Sequence, residues 1–305
     1  MNTQGVLITG ASGFIGRHVV RRFDERGVEV WAWTRNAART RALFPARVHV
    51  VDELTAIPAE APIGAIVNLA GAPVIGPPWT SRRRQLLIDS RVGTTHAVLG
   101  WCAQRALPPR VLVSASAIGY YGPADDQWFD ESAPPQEAFQ SQLCVAREVA
   151  ANAAASLGIR AVNLRIGLVM GADGGILPRL ALPARLGLAA VIGDGLQWMS
   201  WVHIEDLLRI IDLSIEDEAL SGAVNSVAPE PVRQRNFQGA LTHLLHRPLW
   251  MRVPAFALHA ALGDMAELLV RGQRVKPRRL LELGFEFRHP ELEAALADLL
   301  TPAHS

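Results

Sequence analysis

Short aliphatic and β-branched runs alternate with longer amphipathic stretches through the first half of the chain. The runs at 6–9, 28–34, 48–51, 65–69, 111–114 and 161–166 predict strands, and helix-length segments at 14–26, 81–104 and 137–157 separate most of them. Val6-Leu7-Ile8 and Val111-Leu112-Val113 contain no polar residue, the mark of strands covered on both faces. The pattern predicts an α/β fold built on a doubly wound parallel sheet, Rossmann-like in its winding. From about Gly171 the alternation gives way to Gly/Pro-rich loops. Beyond Val232, helical patterns at 236–245, 255–270 and 291–300 lie among Pro248, Pro254, Pro277 and Pro290, which predicts a small, mostly helical C-terminal module. The expected division is residues 1–231 for the sheet domain with its loops and 232–305 for the module. No internal repeat or low-complexity stretch interrupts it.

Composition narrows the function classes. Thirty basic and 29 acidic side chains leave a net charge of +1, so no overall field attracts a polyanion, and no nucleic-acid partner is expected. The run Arg82-Arg83-Arg84 reads as a solvated helix face. Cys102 and Cys144 stand alone in helical patterns, unlike a disulfide framework or a zinc site, and they fit a reducing cytoplasm. The start of the chain lacks a basic flank followed by an apolar run, so no signal peptide is expected. The apolar stretch at 65–79 is interrupted by Gly71, Pro73, Gly76, Pro77 and Pro78, and no segment reads as a membrane span. Lys276 is the sole lysine, and the two tyrosines are the adjacent Tyr120 and Tyr121.

The strongest local signal is Thr9-Gly10-Ala11-Ser12-Gly13-Phe14-Ile15-Gly16, between the first predicted strand and the first helix. A dinucleotide diphosphate needs backbone N–H groups at a helix N-terminus with no side chains in the way. Gly10 permits the tight turn, Gly13 admits the phosphates, and Gly16 brings helix and strand close together. The second strand ends in Trp33-Thr34-Arg35-Asn36. It lacks the acid that would bond a ribose 2′-hydroxyl, whereas Arg35 offers a guanidinium to a 2′-phosphate. This favours NADP over NAD, with Arg39 and Arg41 as competing phosphate partners.

With the glycine turn, Asn68-Leu69-Ala70-Gly71, Ser114-Ala115-Ser116, Leu164-Arg165-Ile166-Gly167 and Trp201-Val202-His203-Ile204-Glu205-Asp206 in view, the chain resembles an extended, atypical short-chain dehydrogenase/reductase. The narrower resemblance is to the NAD-dependent epimerase/dehydratase-like family with a C-terminal domain of unknown function. It rests on WTSRRRQLLIDSRVGTT (79–95), SASAIGYYG (114–122), RLGLAAVIGDGLQWMSWVHIEDL (185–207) and the stretch from PVRQRNF to GFEFRHPEL (231–292), and it covers nearly the whole chain. The resemblance implies cofactor contacts from Leu69, Ala70 and Gly71, from Arg91 in the S-R-x-x-T-T stretch, and from Val169 near the nicotinamide. It implies a structural role for His203 and a homodimer through the helices at 81–104 and 137–157. His243 and His246, three apart without a third ligand, predict no metal site.

The same resemblance exposes a gap. Working members of the superfamily pair a tyrosine acid/base with a lysine four residues later; the lysine anchors the nicotinamide ribose and lowers the phenol pKa. The lysine position falls near Cys144 and the tyrosine position near Gln140, and a single lysine at 276 with tyrosines at 120 and 121 admits no such pair anywhere. Ser116 remains at the catalytic serine's place, and Tyr121 is the nearby phenol that could substitute, its alternative role being an aromatic pocket wall. The expected function is that of an NADP(H)-binding oxidoreductase or epimerase-like protein acting on a small carbonyl or sugar-like substrate. A non-catalytic NADP(H) sensor or partner-binding protein that has lost the acid/base pair is the alternative.

Overall fold

A computed structural model describes residues 5–124 and 126–301 of the protein. The start of the chain, part of the expectation about a signal peptide, lies outside them. Seven parallel strands form the central sheet: β1 (Gly5–Thr9), β2 (Val30–Trp33), β3 (His49–Val51), β4 (Ile63–Asn68), β5 (Val111–Ala117), β6 (Arg160–Ile166) and β7 (Gly222–Ser226). Their spatial order is β7-β6-β5-β4-β1-β2-β3. The winding reverses between β1 and β4, and a crevice opens beyond the strands' carboxyl ends at such a reversal.

Successive strand residues point to opposite faces, and both faces are apolar. Val6 and Ile8 join Ala65, Val67, Val111 and Val113 in one core. Leu7 joins Trp31, Ile66 and Leu112 in the other. Helix α1 (Phe14–Glu25) covers the first with Gly16, Val19, Val20 and Phe23, an i, i+3, i+4, i+7 stripe. Helix α2 (Ser81–Cys102) and helix α3 (Phe139–Asn152) cover the second through Val98, Leu99, Trp101 and Ala151. Helix α4 (Ile204–Glu216) returns to the first face with Leu207, Leu208, Ile210 and Ile211.

The sequence pattern does not reveal β7, because Gly222-Ala223-Val224-Asn225-Ser226 is short and ends in polar residues. Asn225 is nevertheless buried, its backbone N–H donating to Glu131 and its side-chain amide to the Lys276 carbonyl. The predicted helix at 255–270 is broken. It ends at Leu262, where Gly263 takes φ +56°, and resumes at Glu267–Val270. A left-handed residue cannot continue a right-handed helix.

The C-terminal segment is knitted into the loops above the sheet. Val232–Arg233 pairs with Trp198–Met199, Met251–Val253 with Ala190–Ile192, and Arg274–Val275 with Trp128–Phe129. Helix α5 (Gln234–Leu244) and helix α6 (Leu292–Leu300) contribute Phe237, Leu241, Ala295 and Leu296 to a core shared with Met170, Leu177 and Trp201. No helix among the described residues is long and apolar enough to cross a membrane.

Candidate active site

The glycine turn closes over the reversal point. Gly10 has φ +69°, and a Cβ there would lie 2.8–2.9 Å from the backbone of Leu69 and Ala70. At Gly16 a Cβ would stand 2.2 Å from the Gly10 carbonyl oxygen. No side chain caps α1 at Gly13, and its first turn holds no acid. With Ala11 buried and Ser12 and Gly13 exposed, the amides of Phe14, Ile15 and Gly16 are the helix's uncapped N-terminal donors. These are the properties of a phosphate cradle. Phe14 itself is pinned by the hairpin of Leu168–Gly171 and Gly174–Gly175, where a Cβ on Gly174 would meet its ring at 2.2 Å.

A hydrogen-bond chain fixes the facing rim. Thr9 Oγ1 donates to Asn68 Oδ1 at 2.7 Å, Asn68 Nδ2 donates to Thr95 Oγ1 at 2.9 Å, and the Ala70 amide donates back to Thr9 Oγ1 at 3.1 Å. Leu69 and Ala70 thereby border the glycine turn, while Gly71 packs against the Arg91 side chain. Arg91 sits against this rim, its Nη2 donating to the Ala72 carbonyl at 2.9 Å and its Nη1 to the Leu87 carbonyl at 3.0 Å. At the end of β2, Thr34 contacts Thr40, and Arg35 is exposed with no side-chain partner among the described residues.

Beyond the rim lies a largely apolar cavity of about 360 Å³, whose lining includes Arg91, Ser116, Gln140, Cys144, Arg147 and Leu168. Ser116 shares this cavity with Gln140 and Cys144, near which the family resemblance sets the missing tyrosine and lysine. Burial, reinforced by the Glu148 charge, raises the Cys144 pKa, so this side chain is a neutral thiol at pH 7. Strand β5 extends beyond its predicted end to Ala117, which places Ser116 within it, opposite Arg165 of β6. Ser116 Oγ donates to Glu148 Oε1 at 2.7 Å, and Arg165 grips both oxygens of the same carboxylate, at 3.0 and 2.9 Å.

Tyr121 is not brought to this cavity, in contrast to the expectation that it would substitute as the acid. It is fully buried, stacked on Phe129 with ring centroids 5.1 Å apart. Its hydroxyl donates to Asn225 Oδ1 at 2.6 Å and accepts from Arg165 Nη1 at 3.0 Å. Burial pushes its pKa up to about 12. Val169 pairs with Val202 and packs toward the sheet core, while its neighbour Leu168 faces the cavity. His203 caps α4 by accepting from the Glu205 amide at 3.1 Å, and its ring stacks on His289 at 3.7 Å. The potential ligand atoms of His203, Glu205 and His289 lie within 4.8 Å of one another. His203 Nδ1 is already engaged as the cap, and Glu205 meets Arg288. His243 and His246 are exposed.

Sequence reasoning missed Arg147, Glu148 and Arg165. A signal for them existed: Gln140, Cys144, Arg147, Glu148 and Ala151 recur at helical spacing on the buried side of α3, so two charged residues occupy an otherwise inward-facing stripe.

A glycine cradle at the reversal point of a doubly wound sheet, with a cavity at the strands' carboxyl ends beyond the rim that Arg91 joins to it, defines a dinucleotide-binding α/β protein. The chain belongs to the NAD dependent epimerase/dehydratase family, whose model matches residues 6–227, and residues 253–299 match a domain of unknown function (DUF1731). It is thus an epimerase- or oxidoreductase-like enzyme by family. It is 35% identical over 297 residues to the epimerase family protein YfhF of Bacillus subtilis, covering 97% of each chain. It is 34% identical over 302 residues to the chloroplastic SDR39U1 homolog of Arabidopsis thaliana, covering 97% of this chain and 86% of that one. The crystal structure of the human epimerase family protein SDR39U1, with NADPH, superposes with a TM-score of 0.86 at 30% identity and covers 97% of this chain and 99% of the other.

Proposed function

We propose that the protein binds NADP(H) and acts as an oxidoreductase or epimerase-like enzyme on a small hydroxyl or carbonyl compound held in the cavity. The observation that carries this reading is Ser116, which lines the cavity while its hydroxyl is committed to Glu148. The absence of an acid at the end of β2 and the exposed Arg35 favour the 2′-phosphorylated cofactor. The NADPH in the human relative's crystal structure supports the same choice.

The nicotinamide supplies hydride transfer when bound. Because Ser116 donates to Glu148, its oxygen is left to accept from a substrate hydroxyl. As the C–H hydride leaves, the substrate O–H proton passes to Ser116 Oγ and the serine's own proton passes to Glu148, leaving a carbonyl; reduction runs the same path backwards. Arg165 holds both oxygens of the carboxylate in place beside Ser116 and favours its ionised form, which assists the reductive direction, in which Glu148 gives up its proton. Two buried free cysteines suit a reducing, cytoplasmic setting.

A second reading, an NADP(H) sensor without turnover, is favoured by Gln140 and Cys144 at the places of the acid/base pair. Titration of NADPH and NADH into wild type and Arg35→Ala tests the cofactor. The variant loses about 1.5–3 kcal/mol for NADPH and little for NADH, and equal wild-type affinities for the two overturn the preference. Turnover of NADPH or NADP with a panel of carbonyls and alcohols, abolished in Ser116→Ala, supports the enzyme. Tight binding with background turnover throughout supports the sensor.

A further inference from the structure

Arg147 is buried, 5% exposed, on the inner stripe of α3. A buried guanidinium is ordinarily matched by a carboxylate, because an uncompensated charge in a low-dielectric setting is strongly destabilising. Arg147 has no such match among the described residues. Its Nη2 donates to the Asn68 carbonyl at 2.6 Å, and its Nε has no partner. The next acid on the helix, Glu148, is taken by Arg165 and Ser116. The neighbouring charge is a second cation, Arg91, which among the described residues donates only to the Leu87 and Ala72 carbonyls and the Ser90 hydroxyl. Two guanidiniums that repel each other therefore line one cavity with no acid between them. Burial, with the Arg91 charge adding to it, brings the Arg147 pKa down to about 9, which still leaves it cationic at neutral pH.

Position identifies the missing anion. Arg147 holds the carbonyl of Asn68 and Arg91 that of Ala72, so the pair brackets the Leu69-Ala70-Gly71 rim, in which the backbone of Leu69 and Ala70 approaches Gly10. A dinucleotide with its diphosphate on the glycine turn and its nicotinamide end at Ser116 crosses this rim. Its nicotinamide-side phosphate and ribose then come beside the two arginines. Long helix side chains lean toward the helix N-terminus, so Arg147 covers the turn carrying Cys144, the place of the absent lysine. We infer that Arg147, together with Arg91, anchors the nicotinamide half of the dinucleotide through its phosphate and ribose oxygens, replacing the lysine in space from a position one turn further along α3. This inference rests on the NADP(H) reading above.

The test is equilibrium titration of the full chain with NADPH and, in parallel, with 2′,5′-ADP, which carries the phosphorylated adenosine half but no nicotinamide half. In Arg147→Met, NADPH affinity falls by about tenfold or more while 2′,5′-ADP affinity stays within about twofold, and Arg147→Lys restores most of the loss, as expected for a charge-assisted contact. Thermal unfolding of each variant confirms that it is folded. Unchanged NADPH affinity in Arg147→Met overturns the inference, as does an equal loss for both ligands, which marks a purely structural arginine. Failure of the wild type to bind NADPH instead refutes the cofactor reading on which the inference stands.

Discussion

Replacing Tyr121 with phenylalanine separates the two roles that a lone buried phenol could have. The ring's packing against Phe129 and Tyr120 survives the change. What disappears is a hydroxyl that donates to Asn225 Oδ1 and accepts from Arg165. Arg165 keeps Glu148 and the Glu131 carbonyl, so the main loss is at Asn225, whose carbonyl oxygen is left buried without its donor. One lost bond to a charged group and one unmet acceptor together cost about 2–4 kcal/mol. For a chain of 305 residues this lowers Tm by about 3–6 °C at pH 7. The pH dependence has a definite sign. Burial raises the phenol pKa to about 12 from the ordinary 10, so the neutral form is favoured by folding. Its contribution is complete below about pH 10 and is lost as pH rises toward 12, on the order of a few kcal/mol in all. The gap between wild type and Tyr121→Phe therefore narrows across that window, as calorimetry or circular dichroism melts at stepped pH would show. A variant melting within about 1 °C of wild type at pH 7 refutes this account. So does a large loss of NADPH turnover with no change in Tm, which would return Tyr121 to the chemistry.

Other perturbations test other parts of the site. Gly16→Ala places a methyl group 2.2 Å from the Gly10 carbonyl, which forces α1 away from the turn. Dinucleotide binding measured by fluorescence falls by about an order of magnitude or more, and unaltered binding would mean the cradle is not used. Glu148→Gln leaves Arg165 as an uncompensated buried cation at a cost of about 3–5 kcal/mol. Its Tm falls by about 5–8 °C, whereas Ser116→Ala stays near wild type; equal melting of the two would contradict the pairing. The His203 pKa is lowered by burial and then by His289, against opposing pulls from Asp298, Asp206 and Glu205. Folding thus disfavours the protonated ring, and stability present above about pH 6.5 drains away as pH falls. His203→Asn keeps a helix cap and melts with a shallower acid slope than wild type; parallel slopes would refute this.

The sheet was legible where its signals are local. The turn Thr9–Gly16 and the apolar cores of β1, β4, β5 and β6 follow from spacing and from residue size, because each acts within a few positions of itself. Strand β7 was not legible, since Asn225 is accepted in a sheet only after Tyr121, Glu131 and the Lys276 carbonyl arrive from distant segments. The break at Gly263 was missed for a related reason. A glycine within a helical pattern is compatible with a helix, and only the packing of Met265 and Leu268 against Trp79, Leu87 and Leu143 selects the turn there.

The amino-acid sequence alone determined the phosphate-binding turn, the absence of an acid after β2 and, by counting one lysine and two tyrosines, the impossibility of the usual acid/base pair. These are properties of composition and of near neighbours along the chain. Tertiary structure decided the fate of the charges. It paired Glu148 with Arg165 and Ser116, enclosed Tyr121 away from the cavity, and left Arg91 and Arg147 side by side without an acid. Burial and the distance between charges depend on contacts made across the whole fold, and those two quantities set what a guanidinium, a phenol or a carboxylate can do.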